Sequence, residues 1–197
     1  MKMKIKTKLT LLVLTTLLMA LIPIMPMASA AEGEKAVDLY DEADGFIETY
    51  DTISEALAAA DGNAGYTIIV GDGAYTEDLD SIKTAGLTLM SENGAETTTI
   101  QFVDGVGIDL EAGATGFTLG GSTGHGFTML SGATTTFGIQ LANDPNGVTI
   151  SYNSLSTVGF MTQGISVGAA GATGLVISNN EFIGESGDLS ICTSVLY

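Results

Sequence analysis

Asp109 and Glu111 are the side chains whose types and spacing come nearest to chemistry. At i and i+2 of a strand they share one outward face, with Cα atoms about 7 Å apart. A carboxylate pair near that separation could serve an inverting glycosidase, or could hold Ca²⁺, the one cofactor these residues suit. Asp72, Glu77, Asp78 and Asp80 form a second acidic cluster at a corner and are further calcium candidates. Solvated surface acids account for both groups equally well in so acidic a chain. Glycine-rich calcium nonapeptides of the Gly-Gly-x-Gly-x-Asp type are absent. A lyase would need a base, and with no arginine the candidates are Lys83 and Lys35, neither on a repeated strand. Tryptophan is missing, which leaves Tyr152 as the outward ring on which a sugar could stack. Cys192 is alone in the chain, so no internal disulfide can form.

The elements that must position these residues are repeats. Gly86-Leu87-Thr88-Leu89, Gly116-Phe117-Thr118-Leu119, Gly147-Val148-Thr149-Ile150 and Gly174-Leu175-Val176-Ile177 follow at steps of 30, 31 and 27 residues. A second series, out of phase, runs Gly107-Ile108-Asp109-Leu110, Gly138-Ile139-Gln140-Leu141, Gly164-Ile165-Ser166-Val167 and Leu189-Ser190-Ile191. A period of this size means one supersecondary unit stacked on itself, and the alternation within each copy means strands. The columns Leu87/Phe117/Val148/Leu175, Leu89/Leu119/Ile150/Ile177, Ile108/Ile139/Ile165/Leu189 and Leu110/Leu141/Val167/Ile191 are apolar throughout and should point inward. Asn153 and Asn180 occupy equivalent places, so their amides should hydrogen-bond along the stack.

Short strands with glycine-rich corners, two or three to a turn, predict an all-β chain: a parallel β-solenoid of about five turns. The repeat from about Tyr50 onward resembles the right-handed parallel β-helix of the pectin lyase-like superfamily. Thr52, Ile53, Ala56, Leu57, Ile68, Val70, Gly73, Tyr75 and Glu77, extended by Thr97-Thr98-Thr99-Ile100, are similar to the opening coil of pectinesterases. That likeness implies the structural start of the fold, where no chemistry resides. The Gln-Asp and Asp-Phe-Ile-Phe-Gly elements of catalytic pectinesterases are absent, so the esterase activity does not carry over. Gly124-His125-Gly126 resembles one motif of polygalacturonases, but their Asn-Thr-Asp, paired aspartates and Arg-Ile-Lys are missing.

Residues 1–30 read as a signal peptide: Lys2, Lys4, Lys6 and Lys8, an apolar run from Leu9, and Ala28-Ser29-Ala30 as the cleavage site. The protein is therefore expected to be secreted or held at the cell surface, with no membrane segment after cleavage. Beyond residue 30 two lysines face 23 carboxylates, a formal charge of −21. Nucleic acid is excluded as a partner, because nothing could neutralise its phosphates. Residues 31–50 form an acidic leader, expected to pack loosely or to supply one edge segment through Phe46 and Ile47. Residues 51–197 carry the solenoid. Thr52-Ile53-Ser54-Glu55 fits a capping box and opens one short helix, ended near Gly62. Its apolar side, Ile53, Ala56, Leu57 and Ala60, should cap the first coil. The last repeat is still apolar at Val195 to Tyr197, so the solenoid is expected to be incomplete there, the alternatives being end-to-end self-association or a lid formed by Val195 to Tyr197 folding back. Two functions stay open: a non-catalytic surface or matrix module contacting polysaccharide or other cell-surface components, and the start of a polysaccharide lyase, carbohydrate esterase or glycoside hydrolase.

Overall fold

The computed structural model describes residues 35–143, 145–156, 163–168 and 172–184, all within one compact unit, Glu32–Tyr197. Residues 1–30, read above as a signal peptide, and Leu189, Ile191, Cys192 and the last residues lie outside them.

Most of the described chain is strand, wound into a β-solenoid of about four turns with a single short helix. Strands β1 (Val37–Tyr40) and β2 (Phe46–Tyr50) form an antiparallel hairpin, followed by helix α1 (Ile53–Ala60). Turn one is β3 (Thr67–Val70), β4 (Gly73–Thr76) and β5 (Leu79–Ile82). Turn two is β6 (Thr88–Ser91), β7 (Thr98–Gln101) and β8 (Asp104–Leu110). Turn three is β9 (Thr118–Gly120), β10 (Thr128–Leu130) and β11 (Thr134–Leu141). Turn four is β12 (Thr149–Ser151), β13 (Ser154–Ser156) and β14 (Gln163–Val167), and β15 (Val176–Ser178) with β16 (Glu181–Ile183) begins a fifth. Each turn thus adds one strand to each of three sheets, and successive turns pair in parallel.

The register is the one the repeats require. Leu89, Leu119, Ile150 and Ile177 are consecutive partners in the first sheet. Ile108, Ile139 and Ile165 are partners in the third, as are Leu110, Leu141 and Val167. From Leu87 to Ile150 the first-series positions are wholly buried, whereas Leu175 and Ile177 are only partly covered. Each fully buried leucine or isoleucine contributes about 1.5–3 kcal/mol. The middle sheet adds its own column, Tyr75, Ile100, Met129, Leu155 and Phe182. Burial pushes the Tyr75 hydroxyl up to about 12, the charges of Glu77 and Asp72 adding to it. It stays a neutral donor, 3.1 Å from the Gly71 carbonyl.

The first turn is covered as the sequence predicts, with one addition. Thr52 caps α1, its hydroxyl accepting from the Glu55 amide at 3.2 Å, and Ile53, Ala56 and Ala60 are buried. Phe46 and Ile47 do lie on the edge strand, β2, but they are exposed, at 59% and 41%. The leader is not loosely packed: β1 inserts between β2 and β3, pairs with both, and buries Val37 and Leu39.

The two asparagines form the expected ladder. Asn153 Nδ2 donates to Asn180 Oδ1 at 3.2 Å, and Asn180 Oδ1 also receives the Asn153 amide at 3.0 Å. Asn153 goes further, accepting from the Phe127 amide at 3.0 Å and donating to the carbonyls of Leu119 and Ser151. It ties turns three, four and five together while almost fully buried. Replacing Asn153 with alanine strands the buried Phe127 amide and removes one donor each from the Leu119 and Ser151 carbonyls. The expected loss is about 1–3 kcal/mol of unfolding free energy. Urea titration of the two proteins by circular dichroism measures it, and Asn180→Ala, at a half-buried position, should lose less.

Candidate functional site

Two regions of the solenoid's flank bear the candidate residues. The first is the outward face of the third sheet. Asp109 sits on β8 opposite Gln140 of β11, which in turn faces Ser166 of β14. Glu111 lies one residue past the end of β8 rather than on the strand, as its spacing suggested, and is anchored there by its amide to the Ile82 carbonyl at 2.8 Å. The Asp109 Oδ1 atom is out of contact with water and has no hydrogen-bond partner among the described residues. Its burial, then the charges of Glu111 and Asp80, hold the Asp109 carboxyl above the usual carboxylate range. The structure therefore does bring Asp109 and Glu111 into electrostatic contact, with Asp80 as a third acid.

The corner acids have other work. Glu77 accepts from the amides of Ile53 and Ser54 at 3.0 and 2.9 Å, and from the Ser54 hydroxyl, so it caps α1 from 24 residues away. Asp78 accepts from the amides of Val103 and Asp104 at 2.9 and 3.1 Å and clips turn one to turn two. Asp72 accepts from the Asn93 side-chain amide at 3.1 Å. Among the described residues no three His, Cys, Asp or Glu side chains converge as metal ligands would. The two lysines are also engaged. Lys83 lies 3.5 Å from Asp61 in an exposed ion pair, and the Lys35 ammonium sits 5.6 Å over the Tyr75 ring.

The second region is a groove of about 400 Å³ at the corner between the first and middle sheets. It runs across turns: Asn93 and Glu96 come from turn two, Gly124 from turn three, Tyr152 from turn four, Asn179 and Glu181 from the fifth. No lysine or arginine lines it. Gly124 and Gly126 line it, while His125 between them is held for structural reasons. His125 Nδ1 lies 2.9 Å from the Ser91 carbonyl, and a Cβ on Gly126 would meet the Tyr152 carbonyl oxygen at 1.7 Å.

Tyr152 stands in an unusual backbone conformation, φ = 62°. The register sets Ser151 beside Ser178, so Tyr152 shares its corner with Asn179, at φ = 55°, whereas turn three leaves its strand through Gly120 and Gly121, at φ = 80° and 84°, into a longer loop. The turn demands the left-handed region, where glycine is free and asparagine is tolerated. An ordinary side chain there costs about 1–2 kcal/mol. The other non-glycine residues at positive φ among the described ones are Asp44, Ser81, Asn143 and Asn179, all small and polar.

No protein-family model matches the chain, and neither a curated protein nor a solved structure is significantly similar to it.

Asp109 gives a pH dependence whose sign is fixed. With its folded-state value raised above the ordinary 3.8, the folded chain holds this proton more tightly than the unfolded one. Its favourable contribution is complete at low pH and is lost as pH rises through the folded value. Asp109→Asn should therefore raise the melting temperature at about pH 7 and leave it nearly unchanged at about pH 3. Differential scanning calorimetry at the two pH values reads the difference.

Proposed function

We propose that this chain is an exported surface or matrix module that contacts carbohydrate without transforming it, on a solenoid resembling those of the pectin lyase-like superfamily. The observation that carries this reading is the corner groove. It is open, it crosses successive turns, and its polar wall of amides and carboxylates is joined by one aromatic ring. Such a surface suits a polymer with many hydroxyls and a flat sugar face, bound over several units. The amino-terminal segment supports export, and the acidity of the chain argues against polyanionic partners in the absence of a divalent cation.

One observation favours a second reading, a glycoside hydrolase acting through Asp109 and Glu111. An acid held protonated beside an ionised one is the arrangement general acid catalysis uses, and Asp109 is displaced in that direction. A glycan array probed with the mature protein, run beside assays for new reducing ends and for unsaturated uronates, decides between them. The first reading expects binding with no product, with or without added calcium. Product that disappears in Asp109→Asn would establish the second.

A further inference from the structure

We infer that Tyr152 is a ligand-binding platform, and that the groove around it takes an uncharged, extended polysaccharide lying along the stack. The inference rests on the carbohydrate-contact reading above and specifies its site and ligand class.

Backbone geometry makes the case for Tyr152. Two successive turns place Tyr152 and Asn179 at the same left-handed corner, each one residue past the paired Ser151 and Ser178. Asparagine is a residue that this corner tolerates, and tyrosine is not. Folding alone does not select it, because the next turn builds the same corner more easily with Asn179. A residue that breaks a local rule its structural equivalent obeys marks a position held for something else. Tyr152 is partly exposed and lines the groove, where a ring can offer its face to a pyranose.

Chemistry of the wall sets the ligand class. Asn93 and Asn179 supply amides, and Glu96 and Glu181 supply acceptors for sugar hydroxyls. Those two carboxylates, unopposed by any lysine or arginine in the lining, repel uronates and favour uncharged sugars. Direction follows from the stack: the residues belong to four successive turns, spaced by ~4.8 Å, so a bound chain crosses the strands rather than following one.

Affinity electrophoresis of the mature protein in gels containing hydroxyethyl cellulose, galactomannan or polygalacturonate tests the inference, with melting temperatures measured in parallel. The wild type should be retarded by a neutral polymer and not by polygalacturonate without calcium. Tyr152→Asn, which copies the next turn, should bind about tenfold more weakly or worse while melting at or above the wild-type temperature. Tyr152→Phe should keep the retardation. A Tyr152→Asn protein that binds as well as wild type, or that melts lower, overturns the role of Tyr152 and leaves the carbohydrate reading standing. Preference for polygalacturonate overturns the ligand class. Retardation by none of the three, with no signal on the glycan array, overturns the inference and the reading beneath it together.

Discussion

Everything in this molecule depends on a corner that must be left-handed. Gly65, Gly86, Gly116, Gly147 and Gly174 stand one above another at the entry to the first sheet, with φ between 65° and 76°. Their amides bond from turn to turn: Gly86 to the Thr115 carbonyl, Gly116 to Asn146 and Gly147 to Thr173, each at 2.7 Å. A Cβ at these positions would oppose the bend, whereas glycine accepts it freely. Because every turn bends at the same place, strands fall into parallel register, and each apolar residue lands on its equivalent in the next turn. The buried columns are a consequence of that corner as much as of their own hydrophobicity.

Polar groups complete what the glycine corner begins. Asn153 and Asn180 satisfy backbone groups that the second corner leaves open, and Ser91 does the same below them, accepting from the Gly94 amide and donating to the Gly126 carbonyl. Glu77 and Asp78 perform a related task on the first turn, each collecting two amides with one carboxylate. Such charge-assisted bonds are stronger than neutral ones and leave little of the carboxylate free for a metal. Acidity in this chain is thus partly structural, and Asp109, with an unpartnered oxygen, stands apart from it.

The first and third sheets were legible because glycine announces each copy and two buried residues per strand alternate with polar ones. The middle sheet was not, since β10, β13 and β16 are three residues long and each contributes one inward side chain. A single apolar residue has no period. The β1 strand was hidden inside an acidic stretch, where Val37 and Leu39 are the whole signal. The roles of Glu77 and Asp78 were invisible for another reason: their partners lie 23 to 26 residues away, and only stacking brings them close. Tyr152 was legible as an outward ring, but its significance needed the register that aligns it with Asn179.

Fold and site meet in one claim: residues scattered from Asn93 to Glu181 form a single line down the solenoid because its turns stack in register. Mapping amide chemical-shift changes while a neutral oligosaccharide is added to the isotope-labelled protein tests that claim most directly. The account predicts that the shifts concentrate at Asn93, Glu96, Gly124, Tyr152, Asn179 and Glu181. Shifts centred instead on Asp109, Glu111 and Asp80 would contradict it.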